Sequence, residues 1–157
     1  MEEVRTIITN AVYGRKEKTF RKIIRVTADE AQINPEVLGC CVCGAKVLSS
    51  CIEGDIEEGK KAKAKVKFDI HIWYRTDSDT KVAKVNTEFS DIIEVSKQGA
   101  QGFSHEELNV WMKEEPKCLE PVIIGNSEGS QIAVEMEYVL EAEIIGEAVL
   151  SVRVFDT

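Results

Sequence analysis

A strict two-residue alternation constrains this chain more than any other feature. Ala62, Ala64, Val66, Phe68, Ile70, Ile72 and Tyr74 share one parity, while Lys63, Lys65, Lys67, Asp69, His71, Trp73 and Arg75 share the other. Successive side chains of a strand point to opposite faces, so the segment reads as a strand with one buried and one solvated face. A second run follows near the end. Ile132, Val134, Met136, Tyr138, Leu140, Ala142 and Ile144 keep one parity, resumed by Ala148, Leu150, Val152 and Val154, with Glu135, Glu137, Glu141, Glu143 and Glu147 on the other. At ~3.3 Å per residue such a run exceeds a usual strand, so a bend or division is expected at Ile145-Gly146-Glu147.

The remaining segments fit the same class. Residues 4–9 and 19–26 read as two strands joined by a turn at 14–18, and residues 28–35 as a polar loop. Residues 37–48 are apolar and extended, with Gly39 and Gly44 marking bends or bulges. A turn around Ser78 leads into a partner strand over 81–89, followed by Ile92-Ile93-Glu94-Val95; residues 119–124 form a further strand before a Gly-bounded turn at 125–129. Between Gly99 and Pro116 the period changes. Ser104 with Glu107 fits a capping box, and Leu108, Trp111 and Met112 fall at helical spacing, which predicts one short helix near 104–114 with Trp111 as its core anchor. The expected fold is all-β, a two-layer sandwich or partly closed barrel with that one helix. No linker divides the 157 residues, so 1–157 reads as a single β-rich domain.

Composition removes several function classes. With 28 acidic against 20 basic residues the net charge is -8, which disfavours nucleic acid as a partner. No apolar run approaches the ~20 residues needed to span a bilayer, so no integral membrane insertion is expected, and synthesis in the cytoplasm is the default. The only histidines are His71 and His105, and no nucleophile, base and orienting group assemble from the pattern; the short Gly turns lack a phosphate-loop spacing. No catalytic residue and no cofactor is nominated, and the chain is not read as an enzyme.

Chemistry would enter through the thiols. Cys40, Cys41, Cys43 and Cys51 lie within twelve residues, with Cys118 far away. In an extended segment Cys41 and Cys43 point to one side and Cys40 to the other. A structural zinc site would need Cys41, Cys43, Cys51 and Cys118, with His71 as a spare nitrogen, which gives an alternative reading as a metal-stabilised protein-binding module. Paired Cys-x-x-Cys knuckles are missing, and the Cys40 to Cys43 spacing sits in a β-like run rather than at a helix entry. Burial explains some thiols, and an exposed thiol could crosslink two copies. The Lys63, Lys65 and Lys67 row and the Glu135, Glu137, Glu141 and Glu143 row could pair across strands, steer copies together, or simply solvate two strand faces. Trp73, on a polar face, could anchor an interface or lie sheltered.

Five blocks carry a resemblance: Ile7-Ile8-Thr9-Asn10-Ala11-Val12, Leu38-Gly39-Cys40, Phe68-Asp69-Ile70-His71-Ile72-Trp73-Tyr74, Pro116-Lys117-Cys118-Leu119-Glu120 and Glu141-Ala142-Glu143-Ile144-Ile145-Gly146-Glu147. In kind and order the chain resembles the outer spore-coat morphogenetic proteins, within the spore-coat and sporulation domain family of endospore formers, over almost its whole length. The resemblance implies a noncatalytic scaffold, made in the mother-cell cytoplasm, that self-assembles in the spore coat and organises or retains other spore-coat proteins. Its partners would be itself, as homo-oligomer or polymer, and those coat proteins. Cys40 and Cys118 fall at family-like positions, whereas Cys41, Cys43 and Cys51 are additional. The family's acidic tail has no counterpart after Phe155-Asp156-Thr157, so recruitment is expected to use the folded surface.

Overall fold

The computed structural model describes residues 2–27, 36–54, 59–76, 79–95, 104–126 and 129–155, which contain eight strands. The alternation at 62–74 becomes β3 (Lys60–Arg75), whose Ala62, Ala64, Val66, Phe68, Ile70, Ile72 and Tyr74 are all buried. It is the middle strand of a three-stranded antiparallel sheet, between β2 (Glu36–Glu53) and β4 (Thr80–Val95). The second sheet is organised by β8 (Gly129–Phe155), which pairs along one side with β1 (Glu2–Thr27). Its other side is shared in turn by β5 (Ser104–Met112), β6 (Lys117–Cys118) and β7 (Val122–Asn126). All these pairings are antiparallel.

The two sheets pack face to face as a sandwich, and neither closes into a barrel. Their inner parities supply one core, in which the Phe68 ring of β3 meets Tyr138 of β8 at 4.7 Å between centroids and Phe20 of β1 stacks on Tyr138 at 5.5 Å. Each large apolar side chain buried there contributes about 1.5–3 kcal/mol relative to exposure.

Four expectations are corrected. Residues 104–112 are strand β5, and no helix occurs among the described residues. Leu108, Val110 and Met112 face Ile144, Ala142 and Leu140, so the segment satisfies the backbone groups on that edge of β8 as well as its own. Trp111 is not a core anchor. It has the opposite parity, opposite Glu141, and lies on the outer face with the Arg15 guanidinium 5.5 Å from its ring centroid. Residues 14–18 are not a turn: β1 runs through them, with a register shift at Val12/Gly14, and Arg15 holds Glu141 at 3.0 Å and Glu143 at 3.2 Å. β8 does not divide at 145–147. The irregularity falls on its neighbours instead, at Val12/Gly14 in β1 and Ser104/Glu107 in β5. The expected loop at 28–35 and the turn residue Ser78 lie outside the described residues.

Candidate functional site

Beyond Ala148 the burial stops while the strands continue. Residues 2–10 of β1 pair with 147–155 of β8, and β5 reaches no farther along β8 than Glu147. The result is a two-stranded arm projecting from the sandwich. Ile8 is 70 % exposed, Phe155 67 % and Val4 63 %; Ile7, Val149, Leu150 and Val152 are uncovered too. Leu150 and Val152 keep the inward parity of β8, yet among the described residues no sheet covers them. A two-stranded ribbon is at best marginally stable in water, and this one carries apolar side chains on both faces with both backbone edges free among the described residues.

The two charge rows occupy opposite outer faces. Lys63 and Lys65 stand on the outside of the β3 sheet and find acids within it, Glu53 at 3.7 Å and Glu88 at 3.2 Å. Lys67 shares their parity. Glu137, Glu141 and Glu143 stand on the outside of the β8 sheet, where Arg21 reaches Glu137 at 2.9 Å and Arg15 the other two; Glu135 lies across from Ile23. Trp73 lies with the lysine row, half-buried, with the His71 ring edge-on at 6.0 Å.

The thiols divide into an inner and an outer group. Cys40 and Cys118 both pack against the core, one from each sheet, and their thiols are hydrogen-bonded. Burial, with the neighbouring Cys40 thiol, pushes Cys118 up to about 12, which makes it a poor nucleophile. Cys41 lies across from His71, with its sulfur 3.2 Å from that of the exposed Cys43. Cys51, also exposed, stands across from Lys63 toward the other end of β2. The four cysteines of the zinc reading are therefore not gathered. Among the described residues, no group of three or more His, Cys, Asp or Glu could hold a metal ion. An open cleft of about 440 Å³ lies beside Cys43, lined by Val42, Gly44, Ala45 and residues 112–116.

One polar site went unread in the sequence. Asp91 of β4 is buried between the sheets, where Tyr138 of β8 donates its hydroxyl to Oδ2 and Lys22 of β1 places Nζ 2.8 Å from Oδ1. Its signal was parity: Asp91 shares the inward parity of Ile93 and Val95, where an acid needs partners.

Compared with known families, residues 3–157 match the model for CotE, outer spore coat protein E. The chain belongs to the CotE family. That membership places it among outer spore coat proteins and covers both sheets and the arm. No curated protein and no solved structure matches it significantly. Among the described residues, no helix is long and apolar enough to cross a membrane. Within this CotE-family fold, the resemblance-bearing blocks at 7–12 and 141–147 meet at the root of the arm, where Val12 pairs with Ile145 and Asn10 with Glu147.

Proposed function

We propose that residues 1–157 act as one noncatalytic scaffold domain that self-assembles in the outer spore coat and organises or retains other coat proteins. It would be made in the mother-cell cytoplasm and then join the coat. The observation carrying this reading is the uncovered arm. Its apolar residues, Ile7, Leu150 and Val152 on the inward parity and Val4, Ile8, Val149 and Phe155 on the other, have no core to enter, and among the described residues no strand pairs with its edges. A second copy supplies both missing elements, apolar cover and a strand to pair with. Arm against arm would be self-complementary and closed; arm against a different face of the next copy would be open and could propagate into a lattice.

Ile8 and Val149 are direct partners across the ribbon, far from the core, so their replacement tests the contact without touching the sandwich. Ile8→Glu combined with Val149→Glu is expected to reduce assemblies seen by light scattering to monomers while the thermal transition stays within a few degrees of the parent. Assemblies of unchanged size from this folded variant would remove the arm from the contact.

A further inference from the structure

The outer thiol pair is a local structure with a chemistry of its own. β2 is an edge strand of its sheet and is irregular in three places, at Val37/Gly39, Val42/Gly44 and Val47/Ser49. Cys43 is the residue at the second of these. Val42 pairs with Ile70 and Gly44 with Asp69, which leaves no residue of β3 in register with Cys43. Gly44 permits the close approach, since a Cβ there would meet Asp69 Oδ2 at 3.1 Å. A bulge bends its strand and re-aims the extra side chain. Here that side chain lies beside Cys41, with the sulfurs 3.2 Å apart. A disulfide needs ~2.0 Å between sulfurs, so closure asks for a movement of about an ångström.

We propose that Cys41 and Cys43 are a modification site, which a low-molecular-weight disulfide oxidises to an intrastrand Cys41–Cys43 bond. Cys43, the more exposed, attacks as thiolate on one sulfur of the reagent, forming a mixed disulfide and releasing one thiolate that takes a proton from solvent. Cys41 then gives up its proton and attacks the Cys43 sulfur, expelling the second reagent thiolate. The protein dithiol loses two electrons and two protons, and the reagent disulfide gains them as two thiols. The order of attack agrees with the hydrogen bond from the pair, which raises Cys41 above its ordinary thiol range and keeps it protonated until the mixed disulfide forms.

The consequence reaches the assembly. With Cys40 and Cys118 sheltered against the core and Cys41–Cys43 closed, the exposed thiol left to bridge copies is Cys51. The intrastrand bond thus selects which cysteine crosslinks, and it stiffens the β2 wall of the cleft beside it.

The test treats the reduced full chain with oxidised glutathione and reads intact mass and fragmentation. The expected product has a Cys41–Cys43 segment lighter by two hydrogens, free of glutathione at both residues and bridged to no other chain through either, whatever Cys51 carries. Cys41→Ser should trap a stable glutathione adduct at Cys43, and Cys40→Ser should close as the parent does. A persistent adduct at Cys43 in the parent, an interchain bridge through Cys43, or loss of closure in Cys40→Ser would each overturn the proposal.

Discussion

Asp91 is 3 % exposed, and both its oxygens are engaged, one by the Tyr138 hydroxyl and one by Lys22. The three residues come from β4, β8 and β1, so a single carboxylate ties the two sheets together at one point. Lys22 also lies 5.7 Å from the Phe20 ring centroid and 5.2 Å from that of Phe89, which places the cation against aromatic faces as well as the acid. Burial, then the hydrogen bond to Asp91, raises the Tyr138 phenol well above its ordinary range, so it stays a donor at any physiological pH. Tyr138→Phe removes that donor and leaves a buried carboxylate oxygen short of a partner. The expected loss is about 2 kcal/mol, since hydrogen bonds to charged groups contribute about 1.5–3 kcal/mol. Urea denaturation measures it, and a change below a few tenths of a kcal/mol would mean that Lys22 or water satisfies Asp91 alone. In the sequence Asp91 looks like any strand acid beside Ile92 and Ile93, and only its parity with Ile93 and Val95 marks it as inward.

At the level of elements, β3 is legible because its two faces differ from Ala62 to Arg75: every inward residue there is apolar, and the outward ones are charged or polar except Trp73. β5 is not. Leu108 and Met112 fit helical spacing and strand parity equally well, and the Ser104 and Glu107 capping pattern with Trp111 at helical spacing favours a helix only if the Trp111 ring faces the core. Its cover is Arg15, supplied from β1 across β8, a tertiary contact that periodicity cannot show. Residues 14–18 misled for the same reason. A Gly followed by charged residues signals a turn locally, yet the charges belong to cross-strand pairs: Arg15 with Glu141 and Glu143, and Glu17 with Lys113. The arm was invisible for the opposite reason, since its parity is the same as that of buried β8. Hydrogen exchange separates the two halves of that strand. Amides of 132–144 should exchange slowly in monomer and assembly alike, whereas those of 2–10 and 149–155 should exchange fast in the monomer and become protected on assembly. An arm equally protected in both states would mean that the ribbon is stable without a partner.

For the whole molecule, the sandwich presents a lysine row on one broad face and a glutamate row on the other, with Lys63, Lys65, Glu137, Glu141 and Glu143 each paired within its own sheet. The two rows do not meet within the chain. Exposed pairs of this kind are worth about 0–1 kcal/mol, so they keep the faces soluble without binding copies strongly. The apolar arm is the larger uncompensated feature, and on the proposed reading the thiols, divided between core and surface, would act only on contacts that the arm makes first. Assembly should therefore be noncovalent at root. Light scattering of the full chain over a concentration series, with reductant present throughout, tests this directly. The account predicts particles much larger than the 17.5 kDa monomer that grow with concentration and persist under reductant; a monomer at every concentration would contradict it.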